Sequence, residues 1–358
     1  MTARLLVARL SALGDIVFAV PAVAALRERF PDAQIDWLVE DRFEGLVRSL
    51  PLVDQVLVFP RQQWKKAGLG KPGGFGGGVR AMLRHLGTLR GQPPYDAVID
   101  FQGNLKSSLQ LGQVDAVLRV GFEKGASKEG AHRRYDLRAP NPGRVPRAAR
   151  DYALVRAFLE QRFPDEEVAA TPPNVPAWPL DAQAVRDTLA AIDADTPEFV
   201  LLHHGFTAYG QDKEWPIEHW GKLCQQLRAA GHRPRLLWTP AERDRAEEIL
   251  IAAEGKATLA PATPSMDHLM ALLDRAQLLI GTDSGPLHLA ALRGNPVLAL
   301  YGPTDPVRFA PPGPHAHTLR DQEGDAEPPP RDRSRRAPSM DALLPERVAE
   351  RALAILTP

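Results

Sequence analysis

The stretch Ala276-Gln277-Leu278-Leu279-Ile280-Gly281-Thr282-Asp283-Ser284-Gly285-Pro286-Leu287-His288-Leu289-Ala290-Ala291 changes character in its middle. It opens as an apolar run of strand length, passes through a turn rich in glycine and hydroxyls, and ends in small and apolar residues that suit a helix. The order reads as strand, tight turn, helix. Glycine lets backbone approach a ligand, Pro286 suits a first helical turn, and the free N–H groups of a helix start form an anion site. A phosphate fits that description. A glycine-rich turn alone is loose evidence, so a second phosphate contact and a reactive group are needed.

Both are found by working outward. Phe199-Val200-Leu201-Leu202-His203-His204-Gly205 reads as another buried strand running into a loop, and that loop carries Lys213 just before Trp215-Pro216 and a helical pattern from Ile217. Near the N-terminus, Arg4 to Leu10 forms a strand pattern whose exit loop, Ser11-Ala12-Leu13-Gly14-Asp15, leads into an apolar stretch from Ile16 to Phe30. Asp15 then lies at a helix start near the carboxyl end of a strand, where open α/β sheets bind ligands. From spacing alone it serves equally as a base or as a helix cap.

Strand-like segments at Ile35–Val39, Gln55–Phe59, Ala97–Asp100, Leu118–Gly121, Arg235–Trp238 and Val297–Tyr301 complete an alternation with helical patterns. The helices expected are Pro21–Arg29, Arg42–Leu50, Leu105–Gln113, Ile217–Ala230, Glu242–Ala253, Met266–Asp274 and Pro286–Arg293. Such alternation belongs to doubly wound parallel sheets. At 358 residues the chain suits two domains of roughly 150 residues each. Four prolines in Thr171 to Pro179 oppose helix and central strand and mark a linker. The expected division is residues 1–170 and 180–338, followed by a final helix in 339–358. Two irregular tracts stand apart: 68–78, dense in glycine and read as a mobile loop, and 321–338, read as disorder or a surface loop.

Formal net charge is zero, which implies no whole-protein attraction to nucleic acid. Residues 1–170 carry +6, while residues 61–150 hold 17 basic against 6 acidic side chains. That region should prefer an anionic partner. The single cysteine, Cys224, excludes an intrachain disulfide and a multi-thiolate zinc site. No stretch reads as a signal peptide or reaches the roughly 20 apolar residues of a membrane span. A cytoplasmic protein is expected.

Five stretches together resemble glycosyltransferase family 9, the heptosyltransferases of the lipopolysaccharide inner core. They are Ser11 to Ile16, Asp100 to Ser107, Lys213-Glu214-Trp215-Pro216, Gly281 to His288, and Tyr301-Gly302-Pro303-Thr304-Asp305-Pro306. The nearest likeness within the family is to the enzymes that add the first heptose to Kdo. The resemblance implies a GT-B fold, two Rossmann-like domains facing a central cleft, with the acceptor on the N-terminal and the nucleotide sugar on the C-terminal domain. It implies ADP-heptose as donor, an anionic Kdo–lipid A acceptor at the inner face of the cytoplasmic membrane of a Gram-negative bacterium, and transfer with inversion, without metal or cofactor. It also implies that the final helix packs back on the first domain.

Asp15 matches the family's base. Lys213 and the turn at Asp283, Ser284 and Gly285 match its diphosphate and sugar contacts, with Thr207 as a further hydroxyl and His288 bracing the turn. Glu242 resembles the acid that holds the ribose hydroxyls. The methionine expected against the adenine is displaced: Pro264 falls there, with Met266 nearby. On the acceptor side Ser11, Gly14, Arg61, Lys65, Lys66, Arg133 and Arg134 are the candidates, the basic ones suited to phosphates and carboxylates. Asp283 and Asp305 raise the question of Mg²⁺, but aspartates in turns ordinarily serve turn geometry. Three other readings remain: a later-heptose or other family 9 transferase, a nucleotide-sugar epimerase, and a non-catalytic nucleotide-sugar-binding protein.

Overall fold

The computed structural model describes residues 2–66, 75–192, 198–205, 210–321, 326–328 and 336–357, without the side chains of residues 65, 66 and 75–79. The chain divides into two compact units, Met1–Pro179 and Leu180–Pro358.

The first unit contains, in order, β1 (Arg4–Ala8), α1 (Leu13–Arg29), β2 (Gln34–Glu40), α2 (Glu44–Arg48), β3 (Gln55–Phe59), α3 (Arg61–Lys66), α4 (Phe75–Arg90), β4 (Tyr95–Asp100), α5 (Leu105–Leu111), β5 (Ala116–Phe122), β6 (Leu137–Ala139) and α6 (Arg147–Arg162). The second contains α7 (Ala182–Ala191), β7 (Val200–His203), α8 (Ile217–Ala229), β8 (Pro234–Leu237), α9 (Arg243–Ala252), β9 (Thr258–Leu259), α10 (Met266–Leu273), β10 (Leu278–Thr282), α11 (Gly285–Leu292), β11 (Val297–Tyr301), β12 (Ala316–Arg320), α12 (Pro338–Ala342) and α13 (Pro345–Leu356).

Each unit has one six-stranded sheet, ordered β3-β2-β1-β4-β5-β6 in the first and β12-β11-β10-β7-β8-β9 in the second. All the pairings are parallel. The two windings are the same: a unit's first strand lies beside its fourth, β1 beside β4 and β7 beside β10. Loops leaving those strands diverge, and the crevice between them is where such sheets bind ligands.

Central strands are covered on both faces, which is why they read as unbroken apolar runs. Leu5, Leu6, Val7 and Ala8 are all buried, with Val7 opposite Trp37 on β2 and Ile99 on β4. In the second sheet Ile280 on β10 likewise lies between Leu202 on β7 and Leu298 on β11. The strands not expected from sequence, β6, β9 and β12, are edge strands, short or half-exposed.

Helix α1 is buried continuously from Ile16 to Leu26, so it shows no amphipathic period. It also runs through Pro21, so it takes in the whole apolar stretch from Ile16 and puts Asp15 in its first turn, beyond the narrower Pro21–Arg29 pattern. Pro21 removes one backbone donor, and burial of nearly the whole helix outweighs that loss. The glycine tract differs as well. Helix α4 already begins at Phe75, while residues 67–74 lie outside the described residues, as does most of the 321–338 tract.

The final helix is built into the second unit. Val348, Ala349 and Ala352 of α13 share a core with Trp220, Leu223 and Leu227 of α8. Trp215 Nε1 donates to the Leu343 carbonyl at 2.8 Å and its ring meets Trp220 edge-on at 4.7 Å, a geometry worth about 0.5–1.5 kcal/mol beyond area burial. At the other boundary, residues 171–180 carry neither helix nor strand. Trp178 Nε1 donates to Ser49 Oγ at 3.0 Å, tying the end of this segment to the first unit.

Candidate functional site

In the first unit, the loops after β1 and β4 are stitched together where the winding reverses. Gln102 Oε1 accepts from the Leu10 and Ser11 N–H groups at 3.1 and 3.3 Å, which positions the Ser11–Gly14 turn. Beneath it, buried Asp100 accepts from the Gln102 and Gly103 amides, both at 3.0 Å, from Ser107 Oγ at 2.8 Å and from Tyr135 Oη at 2.7 Å. Burial still raises the Asp100 carboxyl above its ordinary range, against those donors. Tyr135 reaches it by lying on Gly121, where a Cβ would come within 2.1 Å of the ring.

Above this bed, Asp15 sits in the first turn of α1. Its Oδ2 accepts from the Ala12 N–H at 3.3 Å, so Asp15 does cap its helix. Its Oδ1 lies 2.7 Å from Arg9 Nη2, and Arg9 also donates through Nη1 to the Phe101 carbonyl. Asp15 is about one-third exposed (33%) whereas Arg9 is 4% exposed. Burial opposes ionisation of Asp15, but Arg9 and then Arg147 outweigh it and hold the carboxyl below the usual range. Helix α6 supplies Arg147, Arg150 and the fully buried Asp151, whose Oδ1 pairs with Arg150 Nη1 at 3.1 Å.

The second unit's reversal lies between His203, ending β7, and Asp283, just after β10. Lys213 Nζ stands 2.5 Å from Asp283 Oδ2 and 3.1 Å from its carbonyl. Asp283 Oδ1 is 2.8 Å from His288 Nε2. Burial raises this carboxyl's pKa, yet Lys213 and the His288 hydrogen bond drive it well below the usual range. An ionised carboxylate can only accept, so His288 Nε2 carries the proton. Ser284, the N-cap of α11, makes no side-chain cap; its Oγ lies 3.0 Å from His203 Nδ1. The first-turn amides of α11 therefore keep donor capacity beside the Lys213 ammonium, a combination suited to an anion.

Glu242 closes this group from the β8 side. Its Oε2 accepts from Thr239 N–H and Oγ at 3.0 and 2.7 Å, the helix-start role that sequence could not separate from ligand binding. A Cβ on Gly205 would fall 1.9 Å from Glu242 Oε1 and 3.1 Å from His203 Nε2. Glu242 thus occupies space that any larger residue at 205 would take. Asp305 belongs to a turn, accepting from the Val307 N–H at 3.0 Å.

Among the acceptor-side candidates, Arg61 is half-exposed and pairs with buried Glu40 at 2.9 Å, as do Lys106 at 2.8 Å and Arg42 at 3.3 Å. Three cations around one carboxylate leave an excess of positive charge at the carboxyl ends of β2 and β3. Arg133 and Arg134 are exposed on a different segment, the 3-10 turn Ala131–Arg134. Thr207 and the side chains of Lys65 and Lys66 lie outside the described residues. Sequence reasoning overlooked Arg9, Glu40, His203 and Asp151. Arg9 carried a signal, a charge closing a central-strand run; Asp151, amid arginines on α6, looked like part of a solvated face. Among the described residues no group of three or more His, Cys, Asp or Glu could hold a metal ion, and no helix is long and apolar enough to cross a membrane.

Two doubly wound parallel sheets with charged groups gathered at each reversal define a protein of the GT-B fold type, and solved structures agree on the fold. E. coli heptosyltransferase WaaC with ADP superposes with a TM-score of 0.75 at 22% identity, covering 98% of this chain and 99% of that one. E. coli ADP-heptose lps heptosyltransferase II gives 0.75 at 22%, covering 99% and 98%. The chain belongs to glycosyltransferase family 9 (heptosyltransferase), whose pattern matches residues 82–335. It is 31% identical over 309 residues to lipopolysaccharide heptosyltransferase 1 of Pseudomonas aeruginosa, covering 85% of this chain and 79% of the relative. The Escherichia coli K12 enzyme of the same name is 26% identical, with 85% and 89% covered.

Proposed function

We propose that the chain moves heptose from ADP-heptose to the Kdo region of a lipid A acceptor in lipopolysaccharide inner-core synthesis, with inversion and without metal or cofactor. The observation that carries this reading is the complementarity of the two reversals: an ionised, accessible carboxylate at Asp15 in one unit, and an ammonium beside an uncapped helix start at Lys213 and α11 in the other. The lipopolysaccharide heptosyltransferase 1 relatives and the ADP of the WaaC structure support the substrate class.

In this reading the acceptor hydroxyl gives its proton to Asp15 as its oxygen attacks the anomeric carbon. The C–O bond to the diphosphate breaks on the opposite face, so a single displacement inverts the centre. Negative charge then grows on the β-phosphate. Lys213 and the amides of Ser284 and Gly285 act there, where transition state and bound substrate differ. Asp283, held by His288, contacts the sugar; Glu242 takes the ribose hydroxyls, and Thr207 adds a donor contact. Ser11 and Gly14 shape the acceptor's approach, while Arg61, Lys65, Lys66, Arg133 and Arg134 meet its phosphates and carboxylates. A lipid-anchored acceptor brings the enzyme to the inner face of the cytoplasmic membrane.

The test is mass-spectrometric detection of transfer from ADP-heptose to Kdo₂–lipid A, with other nucleotide sugars in parallel and with EDTA. A heptose increment, insensitive to EDTA and lost in Asp15→Ala, is the expected result. A strict metal requirement overturns the metal-independent step, and transfer only from another sugar overturns the donor. A later heptose addition is the second reading, favoured by 28% identity over 330 residues to lipooligosaccharide heptosyltransferase 2 of Haemophilus influenzae; it requires transfer to a heptosylated acceptor instead.

A further inference from the structure

The cation that holds Asp15 is placed unusually. Arg9 follows the central strand β1 and is 4% exposed, and a guanidinium in such a position ordinarily carries a heavy desolvation cost. It is met on two sides. One fork nitrogen takes Asp15 Oδ1 at 2.7 Å, the other takes the Phe101 carbonyl, and buried Asp151 on α6 and Asp100 on β4 act on it through space. Anchored at both ends of its fork, the guanidinium fixes one carboxylate oxygen of Asp15. The second, Oδ2, takes the longer 3.3 Å contact from the Ala12 N–H.

We propose that Arg9 is the positioning residue of the base: it locks Asp15 Oδ1 and leaves Oδ2 as the atom that accepts the acceptor's proton. This rests on Asp15 being the base. In the step, the proton passes from the acceptor hydroxyl to Oδ2 while the hydroxyl oxygen bonds to the anomeric carbon and the leaving diphosphate takes the electron pair of the broken C–O bond. Arg9 touches none of these atoms. It keeps the carboxylate ionised and aimed.

The charged groups that bear on Asp15 are Arg9 after β1 and Arg147 on α6, both favouring the anion, opposed by burial and by Asp151 on α6. Removing Arg9 leaves burial less opposed, so the carboxyl titrates higher. The experiment is the pH profile of kcat/KM for wild type, Arg9→Met and Arg9→Lys. In Arg9→Met the acidic limb should move up by about 1–3 pH units, the size of effect an adjacent guanidinium has on a carboxylate, with KM for the nucleotide sugar unchanged. Arg9→Lys should return the limb toward wild type but leave a lower plateau, because an ammonium cannot span Asp15 and the Phe101 carbonyl as a planar fork does.

An Arg9→Met enzyme slowed equally at every pH, its limb in place, overturns the proposal and makes Arg9 merely structural. Should Arg9→Met fail to fold, Arg9→Gln keeps an amide donor at the buried position without charge, and the same shift is required of it. Titration of the Asp15 carboxyl carbon by ¹³C NMR, without any acceptor, separates the two ideas. Full activity in Asp15→Asn sinks the base, whereas an Asp15 titration that ignores loss of Arg9 sinks the positioning role.

Discussion

At the reversal of each sheet a cation faces a carboxylate, but the two pairs are buried in opposite senses. In the first unit the guanidinium of Arg9 is hidden and Asp15 is exposed; in the second Asp283 is hidden, 4% exposed, and Lys213 reaches outward at 20%. In each pair an ion pair holds the accessible partner in place, and the accessible partner decides what chemistry the edge can offer. One winding, used twice, thus presents an accessible carboxylate in one unit and an accessible ammonium in the other.

The largest effect that can break this comparison is on the accessible carboxylate. Asp15→Asn should lower kcat/KM by about 10²–10⁴-fold, the range of a general base, with nucleotide KM little changed in steady-state assays; a fall in nucleotide affinity instead would put Asp15 on the donor side. Lys213→Met comes next. It should cost about 10²–10³-fold in kcat, comparable to losing a fixed donor at a developing charge. It should also destabilise the fold, because Asp283 stays buried without its main cation. The Asp283 carboxyl titrates below its ordinary value, so the stability that Lys213 contributes is fully present above about pH 4 and is lost as pH falls toward the folded value. Urea denaturation of wild type and Lys213→Met should therefore show a gap that narrows steadily as pH falls below about 4, and a gap of constant size from about pH 5 to pH 2 would refute the pairing.

Smaller effects test the beds beneath the two pairs. Gly121→Ala drives a methyl into the Tyr135 ring, an overpacking that should cost about 1–3 kcal/mol and loosen the hydrogen bond to Asp100. Gly205→Ala meets the flexible end of Glu242, so thermal stability should hold while nucleotide KM rises. A reversed pattern would mean that Glu242, not Tyr135, is the rigid element. The effect that is smallest at neutral pH, and grows only in acid, lies in the second unit. His204 is buried, and burial, with His203 and Arg245, pushes its pKa down to about 3. Unfolded chains take up the proton near pH 6.5 and the folded one does not, so stability falls as pH drops from there, by at most about 1.4 kcal/mol per pH unit. His204→Gln should flatten that slope in calorimetry.

What sequence made legible follows from burial. Strands covered on both faces, such as Leu5–Ala8 and Leu278–Ile280, advertise themselves as apolar runs, and the turn at Gly281–Pro286 declares its helix start. Edge strands β6, β9 and β12 carry too little apolar surface to stand out, and α1 through Pro21 obeys its surroundings rather than local propensity. Asp15, Lys213 and Asp283 stood out as candidates because they come soon after strand ends, Asp15 in the first turn of α1 and Lys213 closing a 3-10 turn. Their partners were harder: Arg9 and Asp151 are charges that three-dimensional packing buries, and a one-dimensional pattern cannot distinguish a buried aspartate on an arginine-rich helix from a solvated one.

The anchoring of Trp178 to Ser49 and of Tyr152 to the Ala169 carbonyl has a practical bearing on taking the molecule apart. A gene divided after codon 170 would strip the first half of its tryptophan clasp and hand the second half a proline-rich leader with nothing to hold. Divided after codon 179, the first fragment keeps both of these fastenings, so that is the cut at which two separately expressed pieces have their best prospect of being soluble and titratable one at a time.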